Sequence, residues 1–483
     1  SPSPSPSSSS SSPSRLQKTE GGVRYHCCPR RFESSSLTRQ QNWRGRQLSG
    51  IKCSSGDGSV IPKAPDFVPE GKWNINPDGG VTDPEGFQAA GISAGLRASS
   101  ARPDLALVYC PDGAVAAGVF TQNLVCAAPV TYCKDALKES QENMSSVLIN
   151  AGQANAATGS AGWEDAVSSA NTLSKKLGVP AMSILLESTG VIGQRIKIDK
   201  MLSAIPQLVS ELSDTELSSK QAAMAITTTD LVYKSTSIQV EVGGHTVTLG
   251  GMCKGSGMIH PNMATMLGVV TCDAQIEPKL WQKMLKNAVV DSFNQITVDG
   301  DTSTNDTVVA LASGKVPVSV KDESSDGAII LQEALTALCQ GLGKSIAWDG
   351  EGANVLIAVK VVGADNKEDA RVIARSIASS SLAKSAIFGQ DPNWGRIAAA
   401  AGYAGPSFDV DMLDIELGET KLMEKGQPLA FDAAKASAYL KSKIDKRGVV
   451  DIYVKIGDGS ESGIAWGCDL SYDYVKINAE YTT

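Results

Sequence analysis

Residues 250–267 read GGMCKGSGMIHPNMATML, and this stretch determines how the rest of the chain is interpreted. It runs from clustered glycines into apolar residues, so its simplest interpretation is a flexible glycine-rich loop that leads into a buried strand over residues 267–270. Its unusual feature is Thr265, a hydroxyl residue that follows Ala264 where the loop becomes the strand. If the peptide bond before Thr265 is cut, the new α-amine, with an ordinary pKa of about 8, can take the proton of the threonine hydroxyl. One residue then supplies both a nucleophile and its base.

Histidine offers little support for other kinds of active site. The sequence contains only His26, His245 and His260. His26 lies in an atypical amino-terminal segment, His245 adjoins a hairpin signal and is expected to be exposed, and His260 precedes a proline and is compatible with a structural role. A histidine-based catalytic triad or a three-histidine zinc site is therefore not expected, and no metal site is predicted.

Two glycine-containing motifs resemble ligand loops but lack essential residues. Gly343-Lys344-Ser345 has no leading glycine of a phosphate-binding loop, because position 338 is leucine. Residues 299–303 begin like a calcium loop but are followed by Thr304 and Ala310, where such a loop needs glycine and glutamate. Neither a nucleotide nor a calcium ion is expected to bind there.

The overall composition excludes several classes of protein. Of the 483 residues 42% are hydrophobic, and the formal net charge is −8. No stretch supplies the roughly 18 uninterrupted apolar residues of a membrane-spanning helix, and the acidic balance argues against a nucleic-acid partner. Apart from Cys27-Cys28, the ten cysteines are scattered singly, without the spacing of a disulfide framework. We therefore expect neither membrane nor nucleic acid as a partner.

The amino-terminal segment differs sharply from the rest of the chain. The first fourteen residues are serine and proline alone, and residues 1–50 hold eight basic residues against two acids. Serine- and arginine-rich, acid-poor composition is typical of an organelle transit peptide, and Ile51-Lys52-Cys53 resembles a plastid processing site. The sequence thus predicts a disordered transit peptide over residues 1–53 and a location in the chloroplast stroma. A disordered tail without a targeting role is the alternative.

From residue 54 onward, hydrophobic periodicity predicts a mixture of helices and antiparallel strands. Alternating apolar residues on both sides of Gly243-Gly244 predict a hairpin, and alternation over residues 450–456 predicts a further strand. Pro278 begins a stretch with apolar residues at helical spacing, which predicts a helix. Further helices are predicted at 164–177, 326–340 and 367–382. This arrangement favours an α+β fold in which helices cover antiparallel sheets.

Residues 250–267 closely resemble the self-processing segment of the ornithine acetyltransferase family, the bifunctional glutamate N-acetyltransferases of arginine biosynthesis. The resemblance extends from about residue 65 to Thr483 through blocks that occur in the same order. These blocks are FTQN (120–123), NAGQAN (150–155), TGVIG (189–193), TTTD (227–230), DGDTSTND (299–306), DGEGA (349–353) and DPNWGR (391–396).

The resemblance implies a role for each matching residue. Thr265 would attack the carbonyl of Ala264, split the chain, and then carry the acetyl group. The Thr189 hydroxyl and the Gly190 N–H would form the oxyanion hole, which needs donors fixed where negative charge develops. The remaining implied contacts concern the amino-acid substrate, and the residues that line its site would be Thr228, Lys254, Thr265, Glu351, Asn478 and Thr483. Whether Thr228 or Thr229 makes the contact stays open.

The same resemblance implies the architecture and the reaction. Helices would flank two central, mainly antiparallel sheets in an αββα-like arrangement, with an α chain of residues 54–264 and a β chain of 265–483 folded as one unit. These α and β chains would pair as heterodimers that assemble into a heterotetramer. Acetyl would pass from N2-acetyl-L-ornithine to Thr265, releasing ornithine, and then to L-glutamate, giving N-acetylglutamate. No cofactor is expected, although acetyl-CoA is a possible second acetyl donor.

Two other functions are compatible with the sequence. An N-terminal-nucleophile amidohydrolase or aminopeptidase of related fold would use water instead of glutamate as the acceptor, but distant relatives of that type use serine where this chain has Thr265. A non-catalytic protein that binds amino acids would not need Thr189, Gly190, Lys254 and Thr265, all of which are present.

Overall fold

A computed structural model describes residues 61–97, 102–260 and 266–480. These residues form fifteen strands and eleven α-helices. The predicted transit peptide, residues 1–53, lies outside the described residues. Among the described helices, none combines the length and the apolar character that crossing a membrane requires.

The elements before the segment 261–265 alternate between strands and helices. The strands are β1 (Trp73–Asn76), β2 (Gln88–Ile92), β3 (Leu105–Phe120), β4 (Met144–Asn150), β5 (Ile184–Ser188), β6 (Lys234–Val242) and β7 (His245–Lys254). The helices are α1 (Ala128–Ser140), α2 (Gly159–Leu177), α3 (Ile198–Ser210) and α4 (Glu216–Ala225).

The elements after that segment include a second sheet. The strands are β8 (Leu267–Ile276), β9 (Thr307–Val320), β10 (Leu356–Ala364), β11 (Asp414–Leu417), β12 (Thr420–Glu424), β13 (Gln427–Pro428), β14 (Val449–Lys455) and β15 (Glu461–Cys468). The helices are α5 (Pro278–Val290), α6 (Asp326–Trp348), α7 (Lys367–Ser379), α8 (Ser381–Phe388), α9 (Trp394–Gly402), α10 (Ala433–Asp445) and α11 (Tyr472–Glu480).

Nine strands form the larger sheet, in the order β1-β6-β7-β8-β9-β3-β4-β5, with β2 paired to β3. Strand β3 belongs to two parts of this sheet, because its register shifts between Tyr109 and Ala114. Its first part pairs with β2 and β4, and its second part, Val115 to Phe120, pairs with β9. Such an irregularity bends a strand, so one long strand joins two groups of strands.

Both faces of the larger sheet are buried. Along β9, Val308 and Ala310 belong to a core that includes α5 and α6, whereas Val309 and Leu311 belong to a core with β4, β5 and α1–α4. This alternation follows from the two-residue period of a strand. Helices thus cover a mainly antiparallel sheet, in which β4–β5 and β8–β9 are the parallel pairs.

The smaller sheet has six strands in the order β13-β12-β11-β14-β10-β15. Its pairs are antiparallel except for β10–β14. One face packs against α7, α9 and α10 in a separate core. The predicted fold class, α+β with helices that flank two mainly antiparallel sheets, is therefore confirmed.

The expected cleavage point lies between β7 and β8, which are neighbours in the larger sheet. Lys254 at the end of β7 pairs with Leu267 at the start of β8, and Leu267 also pairs with Thr307 of β9. Strands β8 and β9 therefore lie between β7 and β3 in the sheet order, although β7 and β3 precede them in the chain. Segments from both sides of residues 261–265 therefore build the larger sheet, whereas all strands of the smaller sheet follow residue 265.

Most predicted elements are confirmed, with three differences. The helix predicted at 367–382 is interrupted at Ser380, whose backbone is extended and whose hydroxyl accepts a hydrogen bond from the Ala383 N–H, so a new helix begins. The helix predicted at 326–340 continues to Trp348. It passes Gly341, where an added Cβ would lie 2.5 Å from the Val68 side chain, so close packing retains this glycine inside the helix.

The third difference concerns the glycine-rich stretch. Residues 250–254 lie inside β7 and not in a flexible loop, so the simplest interpretation was wrong for them. Gly250 explains this: an added Cβ would lie 2.1 Å from the carbonyl oxygen of Gly80. The glycine permits close approach of another backbone to the strand and does not mark a turn.

Candidate active site

Seven separate segments of the chain meet around one cavity of about 160 Å³, room for several water molecules. They come from the residues after β4, the end of β5, the segment before β6, the end of β7 and the residues after it, the loop before β9, the loop before β10, and helix α11. The residues that line the cavity are Ala154, Thr189, Gly190, Ile192, Thr228, Thr229, Lys254, Gly257, Met258, Asp299, Asp301, Ser303, Asn305, Glu351, Tyr474 and Asn478.

Thr189 and Gly190 directly follow strand β5 at one side of this cavity. Thr189 is buried, and its N–H donates to the carbonyl of Asn150 over 2.9 Å. Gly190 has φ 122°, and an added Cβ would lie 2.4 Å from the carbonyl oxygen of Gly152. Only glycine fits this backbone position, so the geometry of a possible Thr189–Gly190 donor pair is fixed by its surroundings.

Side-chain amides hold the Thr189 segment in place. The Asn305 amide donates to the carbonyl of Ser188 over 2.8 Å. The Asn150 amide donates to the carbonyl of Gln153 over 2.8 Å and to the Ser188 hydroxyl over 3.3 Å. Because these amides are buried, their hydrogen bonds restrict the peptide that precedes Thr189.

Lys254, the last residue of β7, brings two of the segments together. Its Nζ donates to Thr189 Oγ1 over 2.9 Å and to Thr228 Oγ1 over 3.1 Å. Burial lowers the pKa of Lys254, and the nearby carboxylates of Asp230 and Asp306 act in the opposite direction. A hydroxyl that accepts a hydrogen bond from an ammonium group keeps its own proton for another acceptor. The Thr189 hydroxyl is therefore oriented as a donor toward groups other than Lys254.

The structure distinguishes the two neighbouring threonines. Both line the cavity, but the Thr229 hydroxyl is 2.7 Å from the Ser256 hydroxyl, while the Thr228 hydroxyl faces Lys254. Thr229 thus connects two parts of the wall. Thr228 shares with Thr189 the contact to the ammonium group, which favours Thr228 as the residue nearer to a ligand.

Glu351 contributes a carboxylate to the lining of the cavity, in contrast to the ammonium group of Lys254. Its N–H donates to the carbonyl of Ser256 over 2.8 Å, and its Oε2 accepts a hydrogen bond from the Asn478 amide over 2.9 Å. A Cβ at Gly257 would lie 2.5 Å from both carboxylate oxygens. The missing side chain at Gly257 therefore leaves the space that the Glu351 carboxylate occupies.

The segment before residues 261–265 is held firmly. Asp299 accepts hydrogen bonds from the Met258 N–H over 2.6 Å and from the Ile259 N–H over 2.8 Å, and Met258 has φ 56°. The His260 carbonyl accepts from the Thr302 hydroxyl, and His260 Nδ1 lies 3.0 Å from Thr297 Oγ1. Burial, together with the nearby cations Arg375 and Lys384, lowers the pKa of His260 to about 4, so this histidine is neutral at ordinary pH.

The structure brings most of the predicted site residues together. Thr189, Gly190, Thr228, Lys254, Glu351 and Asn478 all line the one cavity. Ala264, Thr265 and Thr483 lie outside the described residues. Sequence reasoning gave no role to Asp299, Asn305 or Tyr474, which also line the cavity. The block of residues 299–306 was the available signal for the first two, whereas no pattern identified Tyr474.

Known proteins are similar in sequence to this chain over most of their length. A model of the ArgJ family matches residues 88–483. The chloroplastic arginine biosynthesis bifunctional protein ArgJ of Ricinus communis is 59% identical over 426 residues, which cover 88% of this chain and 90% of that protein. The protein of the same name from Physcomitrium patens is 57% identical over 427 residues, covering 88% of this chain and 82% of its own length.

Two solved structures are also similar in sequence. The chain of ArgJ from Bacillus halodurans is 43% identical and covers 44% of this chain and 97% of its own length, with a TM-score of 0.42. The second is ornithine acetyltransferase from Mycobacterium tuberculosis, whose structure was solved with ornithine. It is 39% identical and covers 40% of this chain and 100% of its own length, with a TM-score of 0.37.

With the site, these sequence relationships define an acetyltransferase that acts in arginine biosynthesis. The chain belongs to the ArgJ family.

Proposed function

We propose that this enzyme transfers acetyl from N2-acetyl-L-ornithine to L-glutamate, with Thr265 as the intermediate carrier. The observation that carries the proposal is the meeting of Thr189, Thr228, Lys254, Glu351 and Asn478 around one cavity. Ornithine, which the relative from Mycobacterium tuberculosis binds, would be the first product.

Cleavage between Ala264 and Thr265 would generate the nucleophile. The Thr265 hydroxyl attacks the Ala264 carbonyl, the peptide nitrogen becomes the new α-amine, and water hydrolyses the resulting ester. Anchors on both sides of the junction support this step. Asp299 holds Met258 and Ile259, and the Met266 carbonyl accepts a hydrogen bond from the Thr307 N–H over 2.8 Å. Cleavage would leave an α chain of residues 54–264 and a β chain of 265–483.

Acetyl transfer would then proceed in two half-reactions. The Thr265 hydroxyl attacks the acetyl carbonyl as the α-amine takes its proton, and ornithine leaves with its amine protonated. The glutamate amine attacks the acetyl ester and restores the free hydroxyl. The Thr189 hydroxyl and the Gly190 N–H would stabilise the oxyanion in both halves. The contact from Lys254 supports this role for Thr189, because it leaves the hydroxyl proton available.

The charges of the cavity suit an amino-acid ligand. Lys254 would pair with a substrate carboxylate, and Glu351, oriented by Asn478, would pair with a substrate ammonium group. Thr228 and Thr483 would complete this binding site. Since the cavity presents both signs of charge, it matches a zwitterionic substrate better than a purely anionic one.

Several further features belong to the same proposal. The plant relatives are chloroplastic, and this chain shares that location; residues 1–53 would direct it to the stroma. The α and β chains would form heterodimers that pair into a heterotetramer. No cofactor would be needed, and acetyl-CoA would be a second possible acetyl donor.

The test uses purified protein with acetylornithine and glutamate, in the absence of acetyl-CoA. We expect two chains on a denaturing gel, an amino-terminal sequence Thr-Met-Leu-Gly for the β chain, and stoichiometric formation of ornithine and N-acetylglutamate. Thr265→Ala should remain one inactive chain, whereas Thr265→Ser, which keeps a hydroxyl, should still be cut.

Each rival function gives a different result in this assay. Ornithine with acetate but without N-acetylglutamate would indicate a hydrolase. Binding of acetylornithine without turnover would indicate a non-catalytic protein. An uncut wild-type chain with full transfer activity would contradict the threonine mechanism.

A further inference from the structure

Beneath the cavity lies a buried group of three charged side chains, Asp230, Lys234 and Asp349. Their side chains are 0% exposed. The Lys234 ammonium lies 2.6 Å from Asp230 Oδ1 and 2.8 Å from Asp349 Oδ2, and it also donates to the Val232 carbonyl over 3.3 Å. All three ammonium hydrogens can therefore be satisfied inside the protein.

Asp230 connects this group to two of the segments that line the cavity. Its Oδ2 accepts a hydrogen bond from the Thr228 N–H over 2.9 Å, and its Oδ1 accepts one from the Gly255 N–H over 2.8 Å. Thr228 is a proposed substrate contact, and Gly255 directly follows Lys254. One carboxylate thus fixes the backbone beside both residues.

Asp349 itself lies in a third segment, between α6 and β10. Its Oδ2 accepts hydrogen bonds from the Leu231 N–H over 3.1 Å and from the Val232 N–H over 3.4 Å. Asp349 also lies two residues before Glu351, the carboxylate on the other side of the cavity. Lys234 therefore joins the segments that carry Thr228, Lys254 and Glu351, which lie far apart in the sequence.

Stability alone is a weak reason for such an arrangement. Burial of three charges costs free energy that ion pairing only partly recovers, and well-packed apolar residues often give equal or greater stability. Apolar residues, however, cannot accept hydrogen bonds from the N–H groups of Thr228, Gly255 and Leu231 and so cannot fix their directions. The placement of these acceptors directly beside the cavity therefore points to a role in its geometry.

We propose that Asp230, Lys234 and Asp349 are positioning residues of the acetyl-transfer site, and that Asp230 sets both the place and the charge of Lys254. This inference rests on the proposed function and deepens it. The three residues do not touch the substrate; they act through Thr228, Lys254 and Glu351.

The charge on Lys254 gives this network a distinctive signature. Burial and the Lys234 ammonium lower the pKa of Lys254, while the carboxylates of Asp230, Asp306 and Glu351 raise it; the Thr189 and Thr228 hydroxyls that face it are neutral. Loss of the Asp230 charge should lower this pKa further. Lys254 then loses its proton, and with it the attraction for a substrate carboxylate, at a lower pH than in the wild type.

The test compares Asp230→Asn with Asp349→Asn, each of which removes one carboxylate charge from beside Lys234. We expect Asp230→Asn to raise the KM for acetylornithine by about tenfold to a hundredfold, the cost of a small displacement of a binding group. As Lys254 loses its proton at alkaline pH, KM should increase, and in Asp230→Asn this increase should begin at a lower pH than in the wild type. Asp349→Asn should raise KM without changing the pH at which this alkaline increase begins, because Asp349 does not contact the Lys254 segment.

Kinetics are measured on folded protein relative to wild type, so a failure of the proposed function would appear as an inactive wild type. The inference would be overturned if folded Asp230→Asn had the KM of the wild type and its KM began to increase at the same alkaline pH. Hydrogen exchange of the wild-type protein gives a second test if the variants do not fold. Amides of residues 228 and 255 should exchange as slowly as those within β6, and rapid exchange at both would contradict the positioning role.

Discussion

The two sheets of this protein differ in how completely their strands are buried and in the polar side chains that they bury. In the larger sheet, every residue of β4 and β5 is buried, including the polar residue Asn150, and Lys234 of β6 is buried as well. In the smaller sheet, β14 alternates between buried and more exposed residues, as a strand with one solvated face does. Lys234 of β6 also forms two buried ion pairs beside the cavity, with Asp230 and Asp349.

The contribution of the smaller sheet to the site is indirect. Glu351 precedes its strand β10, and Asn478 lies in α11, after its strand β15. Its own strands provide no residue that lines the cavity. The comparison teaches that the larger sheet carries a costly buried charge, Lys234, next to the cavity of the proposed function, while regular apolar alternation suffices for the smaller sheet.

The largest expected effect comes from the end of β5 in the larger sheet. Thr189→Ala removes one donor to the developing oxyanion, so kcat should fall by roughly a hundredfold to a thousandfold. Thr189→Ser is the matched control, because it keeps the hydroxyl, and it should retain most of the activity. Single-turnover acetylation of cleaved protein by acetylornithine measures the effect. Equal rates for Thr189→Ala and wild type would leave Gly190 as the only named donor.

An intermediate effect on activity is expected where Glu351, in the segment before β10, packs against Gly257, which follows β7 of the larger sheet. Gly257→Ala places a Cβ 2.5 Å from the Glu351 carboxylate and must displace it, so KM should rise by up to about a hundredfold. The double variant Gly257→Ala/Glu351→Asp, with a shorter acid, should recover part of this loss. Steady-state kinetics with acetylornithine and glutamate provide the measurement. If the double variant is no better than Gly257→Ala, the carboxylate is not the displaced group.

The smallest effect on activity is expected within the smaller sheet. Ile452→Ala in β14 should destabilise the protein by about 2–5 kcal/mol, because it removes a buried side chain, yet leave kcat and KM of the folded protein unchanged. The same substitution at Ile149 in β4, next to Asn150, should cause a similar loss of stability and also lower kcat. Thermal unfolding and kinetics of both variants make the comparison. A lower kcat in Ile452→Ala would show that the sheets are not functionally separate.

Local patterns predicted the elements that depend on few distant contacts. The hairpin of β6 and β7 is confirmed because its turn, Gly243-Gly244, lies between alternating strands. Helix α5 is confirmed because Pro278 begins it and one face carries its buried residues. The errors at Ser380 and Gly341 arise where a single residue has two possible meanings. Ser380 can continue one helix or cap the next, and here it caps the next. Gly341 can end a helix or pack inside it, and here its close approach to the distant residue Val68 decides.

The sequence by itself determined the chemical groups on which the proposed reaction depends: a hydroxyl at Thr265, an ammonium at Lys254 and a carboxylate at Glu351. It also determined the family, because the ordered blocks extend over nearly the whole chain. Only the tertiary structure decided that Lys254 contacts Thr189 and Thr228, and that Lys234 joins Asp230 to Asp349. The physical reason is that hydrogen bonds and ion pairs act over a few ångströms, and no local periodicity records which distant residues come that close.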